Sequence, residues 1–303
     1  MTPLPRPLRG VIVPIVTPLR DGETLDPEGL ERLLEHVLSG GVRGVFVLGT
    51  TGEAASLPHR LREELVRRVC RLVSGRVPVL AGITDTVFEE SVKLARAAAE
   101  AGAQALVTAP PYYFPAGQPE LLEYLGHLLP RLPLPLFLYN IPRLTKVAFE
   151  PSTVAGAAAM PGVAGIKDSS EDMPYFVRLR DALRDRPDFA LLVGSEVLLG
   201  ESILGGAHGG VLGGANLFPR LYVDLYEAAA AKDLARTRAL TEKVMKVAAA
   251  IYGAGRHGSS WLKGLKCALS LKGICGDYML EPFHRFREEE RRKIREGLDS
   301  LEG

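Results

Sequence analysis

Val163-Ala164-Gly165-Ile166-Lys167-Asp168-Ser169-Ser170 opens on four small or apolar residues and closes on four polar ones. An apolar run this short, with no polar residue at alternate positions, reads as a strand buried on both faces. A helical stretch follows at residues 173–183. Strand, polar turn and helix form one unit, and the fold depends on how often that unit recurs.

It recurs in both directions along the chain. Strands are expected at residues 11–17, 44–48, 77–81, 105–108, 136–139, 163–167, 189–193 and 209–212. The helices between and after them are expected at 27–38, from about 58, and at 89–101, 119–129, 151–159, 173–183, 197–204 and 219–231. Asp26 suits the first helix as N-cap, with Pro27 at its first position. Eight consecutive units in roughly 220 residues point to an α/β fold, the closed (β/α)8 TIM barrel, rather than an open sheet with a switch point. Residues 233–252, 260–271 and 282–301 also read as helical. The expected organisation is therefore a barrel over 1–231 and a C-terminal helical extension over 232–303, packed on the barrel and carrying no separate function.

Composition narrows the function. Lys+Arg number 37 against 36 Asp+Glu, so no electrostatic footprint calls for nucleic acid or an anionic membrane. Hydrophobic residues at 47% are enough for a large core at 303 residues. Cys70, Cys267 and Cys275 form no CxxC pair, which reads as buried free thiols in a reducing compartment. The proline-rich start, Met1-Thr2-Pro3-Leu4-Pro5-Arg6-Pro7, lacks the apolar run of a signal peptide, and no 18-residue apolar stretch exists. A cytoplasmic location follows as the expectation. No histidine has a partner at metal-ligand spacing, so neither a metal nor a cofactor is expected. Gly205-Gly206-Ala207-His208-Gly209-Gly210 precedes a strand instead of following one, which excludes a dinucleotide loop.

Chemistry in a barrel of this kind gathers where the strands end. Those ends carry Gly49-Thr50-Thr51-Gly52-Glu53, Pro110-Pro111-Tyr112-Tyr113, Tyr139-Asn140-Ile141-Pro142, Lys167-Asp168-Ser169-Ser170, Gly194-Ser195-Glu196 and Gly213-Gly214-Ala215-Asn216. A lysine ending an apolar strand is drawn out of water, which favours the neutral amine that attacks a ketone to give an imine. The iminium is then an electron sink for the neighbouring carbon. A Gly-Thr-Thr-Gly turn offers N–H groups and hydroxyls to a carboxylate. Tyr113 and Tyr139 supply phenols for proton transfer. Taken singly, each motif reads as an ordinary turn, core aromatic or solvated lysine; their shared end of the barrel is what points to a site.

In this order and spacing the motifs resemble the dihydrodipicolinate synthase and N-acetylneuraminate lyase superfamily of Schiff-base aldolases and lyases. The resemblance runs from Pro14-Ile15-Val16-Thr17-Pro18 to the C-terminal helices. It implies that Lys167 forms the imine and that Tyr139 donates and accepts the proton beside it. It implies that Thr50 and Thr51 bind the keto-acid carboxylate, with Thr50 also linking the tyrosines in a relay. Tyr113 would be the phenol delivered across a subunit interface, in a dimer or a tetramer made of two dimers. Gly194 and Leu212 would line the keto-acid pocket. Dihydrodipicolinate synthases carry an arginine two residues after the proline of the tyrosine motif; here that position is Leu144, and Arg143 stands one place earlier. With Lys167-Asp168-Ser169-Ser170 and Gly194-Ser195-Glu196, this resembles the 2-keto-3-deoxy-sugar-acid and 4-hydroxy-2-oxoglutarate aldolase branches. The implied reaction makes or breaks a C–C bond between pyruvate, or another 2-keto acid, and an aldehyde or sugar-acid fragment. The alternatives are condensation of pyruvate with aspartate semialdehyde, an imine-dependent sugar-acid dehydratase, and a ligand-binding member without catalysis.

Overall fold

The computed structural model describes residues 4–302. Eight strands close into a barrel in chain order, each parallel to its neighbours, with β1 joined to β8. The strands are β1 Gly10–Pro14, β2 Gly44–Val47, β3 Val79–Gly82, β4 Ala105–Thr108, β5 Leu136–Asn140, β6 Val163–Asp168, β7 Ala190–Val193 and β8 Gly209–Val211. Helices α1 Pro27–Ser39, α2 His59–Val73, α3 Phe88–Ala101, α4 Gln118–Leu128, α5 Pro142–Thr145, α6 Pro151–Ala158, α7 Met173–Ala182, α8 Leu199–Leu204 and α9 Pro219–Ala230 follow the strands. Then come α10 Leu234–Val247, which runs on as a π turn over Ala248–Tyr252, α11 Ser260–Leu271 and α12 Glu288–Glu302. No helix among the described residues is long and apolar enough to cross a membrane.

The strands are apolar on both faces because they separate two cores. Inside the barrel, Ile12, Phe46, Leu80, Phe137, Leu192 and Val211 fill the axis. Outside it, Val13, Val45, Leu106, Leu138 and Ile166 meet the apolar stripes of the helices. Burying a side chain of this size contributes roughly 1.5–3 kcal/mol, which is why neither face retains the polar alternation of a half-exposed sheet. The expected cap is present, and two more accompany it. Asp26 accepts from the N–H of Gly29 with Pro27 in the first turn, and Asp172 and Asp233 cap α7 and α10 in the same way.

Several boundaries differ from the sequence expectation. The first strand ends at Pro14, not at residue 17, because the N–H of Val16 turns out of the ladder to Asn216 Oδ1, at 3.1 Å. The third begins at Val79, after Pro78, which has no N–H to give. The last helix starts at Glu288 instead of 282, where three glutamates in its first turn complement the helix dipole. The single turn α5, directly after the tyrosine motif, was not expected at all.

Candidate active site

Lys167 and Tyr139 are register partners on adjacent strands β6 and β5. Both side chains point into the barrel, and each residue is 6% exposed. Lys167 Nζ lies 4.0 Å from the centre of the Tyr139 ring and 5.5 Å from that of Phe46. An irregularity in the ladder aims the lysine inward. Leu136 pairs with Val163 but Phe137 pairs with Gly165, so Ala164 is an extra residue. Val163 faces the helices and Ala164 the axis, yet Ile166 faces the helices again. Strict alternation from Ala164 would turn Ile166 inward and Lys167 outward; the bulge reverses that phase. Asp168 lies on the opposite face. Its carboxylate accepts from Asn140 Nδ2 at 2.8 Å and from the Ser170 hydroxyl at 2.9 Å. Lys167 therefore has no carboxylate within 4.0 Å among the described residues.

The loop after β2 supplies the second wall. Thr50 Oγ1 lies 3.3 Å from the Tyr139 hydroxyl. Neither the Thr50 nor the Thr51 N–H has an acceptor among the described residues, and both threonines line a cavity of about 270 Å³ with Lys167 and Tyr139. Unpaired N–H groups and hydroxyls around a buried amine form a receptor for a small anion carrying a carbonyl. Gly194, at the end of β7, gives the lysine its room. A Cβ there would overlap the Ser169 hydroxyl and come within 3.1 Å of Lys167 Cε.

The site's electrostatics are uneven. Burial pushes the Tyr139 phenol up, but the charge of Lys167 and hydrogen bonds from Thr50, Lys167 and Ser169 together hold it below its usual value. A phenol so placed is suited to exchange a proton with a group at Lys167. On the far wall, burial raises Glu196 above the ordinary carboxyl range, against the donors gathered on it. Those donors are Tyr222 at 2.5 Å, the Gly214 N–H at 2.7 Å and Tyr252 at 3.0 Å. Burial, and then the negative field of Glu196, push both phenols well up.

Of the residues expected from sequence, Lys167, Tyr139, Thr50, Thr51 and Gly194 line this one cavity. Leu212 does not. It is fully buried in the core beneath the helices, and its neighbour Val211 faces the cavity instead, because side chains alternate along β8 and the preceding residue holds the inward position. Tyr113 stands 84% exposed on the loop after β4, with φ +89°, stacked edge to face on the equally prominent Phe114. Arg143 and Leu144 both line the cavity and also a larger adjoining one of about 630 Å³. The Arg143 guanidinium has no carboxylate within 4.0 Å among the described residues. Sequence reading missed Tyr252 and Trp261, which come from beyond the barrel to close the mouth. The only available signal was that Trp261 is the sole tryptophan of the chain.

Comparison with known proteins accounts for this arrangement. A structure of dihydrodipicolinate synthase from Bacteroides thetaiotaomicron is 57% identical, with a TM-score of 0.95 over 97% of this chain and 99% of that one. A prophage protein of the dihydrodipicolinic acid synthase family from E. coli K12, solved with pyruvate, is 26% identical, with a TM-score of 0.91 over 97% and 98%. A 4-hydroxy-tetrahydrodipicolinate synthase of Methanoculleus marisnigri is 36% identical over 76% of this chain and 79% of its own length. The Dihydrodipicolinate synthetase family model matches residues 7–301, through every strand and the C-terminal helices alike, and so this chain belongs to that family.

Proposed function

We propose that this lyase forms a Schiff base between Lys167 and a small 2-keto acid, with pyruvate first among them, and makes or cleaves a C–C bond at the carbon next to the imine. The carrying observation is Lys167 Nζ poised 4.0 Å from the Tyr139 ring centre, in a cavity that Thr50 and Thr51 also line. The amine attacks the keto carbon, and water leaves through proton transfers assisted by Tyr139 and Thr50. Thr50 and Thr51 hold the carboxylate. Loss of a proton from the methyl carbon gives an enamine, which adds to an aldehyde; the reverse sequence cleaves a 4-hydroxy-2-keto acid. Gly194 and Val211 leave the space in which the keto acid sits. The pyruvate bound to the E. coli relative supports the choice of keto acid.

Two readings of the second substrate rest on different observations. Leu144, 48% exposed, puts an apolar side chain where the synthases of the family carry an arginine. This favours a 2-keto-3-deoxy or 4-hydroxy-2-keto acid over aspartate semialdehyde. Arg143, with no carboxylate partner among the described residues and lining both cavities, favours the condensation of pyruvate with aspartate semialdehyde, as the named synthase relatives also do. A barrel over 1–231, completed by helices from 232–303, in a soluble cytoplasmic dimer or pair of dimers, fits either reading.

Incubation with pyruvate and borohydride tests the imine. One reduced pyruvyl group per chain is expected, mapping to Lys167 by peptide mass. An adduct on another lysine, or none, removes the central claim. Lys167→Arg abolishes the adduct, because a guanidinium stays protonated. Assay of a panel of 2-keto-3-deoxy acids for cleavage, against synthesis from pyruvate and aspartate semialdehyde, decides the second substrate.

A further inference from the structure

The most deeply buried cation of the described chain lies outside the reacting cavity. Lys266, on α11, is fully buried and pairs with Glu53 Oε1 at 2.6 Å. Its ammonium also donates to the carbonyls of Thr17, at 3.1 Å, and Tyr278. The other Glu53 oxygen accepts from the Leu280 N–H at 2.9 Å. The Glu53 carboxylate is therefore held, among the described residues, by the C-terminal segment, although Glu53 closes the turn that carries Thr50 and Thr51.

That turn needs holding. Leu48 and Glu53, its two flanks, both adopt left-handed backbone, at φ +62° and +56°. Side-chain-bearing residues keep such angles only where their surroundings enforce them. Thr17 provides a second restraint: its hydroxyl donates to the Gly52 carbonyl at 2.6 Å, while Lys266 grips its own carbonyl. Two routes from one ammonium thus converge on residues 52 and 53. Inside the turn, the Glu53 N–H bonds the Thr50 carbonyl at 3.1 Å, which transmits the restraint to the free Thr50 and Thr51 N–H groups.

We infer that Lys266 and Glu53 are positioning residues, a latch by which the C-terminal helices set the turn that receives the keto-acid carboxylate. The inference rests on the function proposed above. It predicts that the latch and the carboxylate strengthen each other, because coupling between two sites is reciprocal.

Two measurements test it. In the unaltered chain, trapping pyruvate with borohydride should slow hydrogen exchange of the Leu280 amide at least fivefold, although Leu280 lies outside the reacting cavity. Unchanged exchange in fully trapped protein overturns the latch. Glu53→Gln keeps the shape but leaves one acceptor oxygen for two donors, Lys266 Nζ and the Leu280 N–H; the double variant Glu53→Leu/Lys266→Met replaces the pair with apolar groups, a change buried ion pairs often tolerate. Variants that melt cooperatively should show KM for pyruvate raised at least tenfold and kcat changed less. Native-like pyruvate saturation in a folded variant rejects the inference. Failure of the unaltered chain to trap pyruvate at all counts instead against the proposed function.

Discussion

Thr50 Oγ1 and the Tyr139 hydroxyl stand 3.3 Å apart across 89 positions of sequence, joining the loop after β2 to the end of β5. Either oxygen can donate, so on the proposed Schiff-base route a proton can pass in both directions between them. Replacing Tyr139 by Phe keeps the ring beneath Lys167 but removes the hydroxyl. We expect kcat to fall by about 10²–10⁴-fold, the usual contribution of a positioned acid–base group, with the melting curve little changed. Turnover within tenfold of the parent would remove Tyr139 from the proton path.

Gly194→Ala addresses the room that Lys167 needs. The added methyl would overlap the Ser169 hydroxyl and press on Lys167 Cε from 3.1 Å. Displacement of a reacting group by about 1 Å can cost on the order of 10²-fold in rate. The expected result is slow borohydride trapping in a folded chain. Trapping at the parental rate would show that the wall yields without moving the amine.

Arg143 and Leu144 separate the two substrate readings. With Leu144 in place, turnover of aspartate semialdehyde should be poor, and Leu144→Arg should raise its kcat/KM by about one to two powers of ten. That is the equivalent of roughly 1.5–3 kcal/mol for a hydrogen bond to a charged group. Strong synthase activity in the parent, abolished in Arg143→Ala while pyruvate trapping persists, would assign the grip to Arg143 and the reaction to the synthase.

Tyr113 is exposed and does not line its own chain's cavity, so its phenol is expected to act in a second copy of the chain. Two adjacent rings, 84% and 80% exposed, are a surface that association would cover. Mixing Tyr113→Phe chains with Lys167→Ala chains should then restore activity, because a hybrid dimer contains one intact site. Hybrids that demonstrably form yet stay inactive would restrict Tyr113 to its own chain or to no catalytic part.

Glu196 should make stability depend on pH. Its carboxyl is raised by burial, so the folded protein keeps a proton that the unfolded chain releases near the ordinary value of 4.5. Stability from this group is complete below that value and is lost as pH rises through the raised one. Glu196→Gln has no such proton, and the Tyr222 and Tyr252 hydroxyls can turn to meet its amide. The melting temperature of the parent minus that of the variant should therefore shrink as pH climbs from 4.5 towards neutrality. A constant difference would contradict the assignment.

The period of short apolar runs and helical stretches was readable in the sequence because burial on both faces confines polar residues to the ends of a central strand. Lys167, Tyr139, Thr50 and Thr51 were readable because polar side chains clustered at one end of such runs have few structural uses. Leu212 was misplaced by one residue: in an all-apolar run no polar partner marks which parity faces inward. Glu196 stood in a noticed motif, but its phenol partners come from α9 and the end of α10, and nothing local announces contacts between residues 26 and 56 positions apart.

By itself, then, the sequence determined the eight-unit barrel, Lys167 and Tyr139 as a candidate amine and phenol, and the end of the barrel at which they meet. Those properties follow from local hydrophobic pattern and from residue chemistry. Only the tertiary structure decided that Lys167 points into the barrel, since the extra residue Ala164 shifts the phase of β6 against β5. Only the tertiary structure brought Tyr252, Trp261 and Lys266 from the C-terminal helices to the mouth and its loop. Strand phase and long-range closure depend on which partner lies alongside each segment, and that information exists only once the chain has packed.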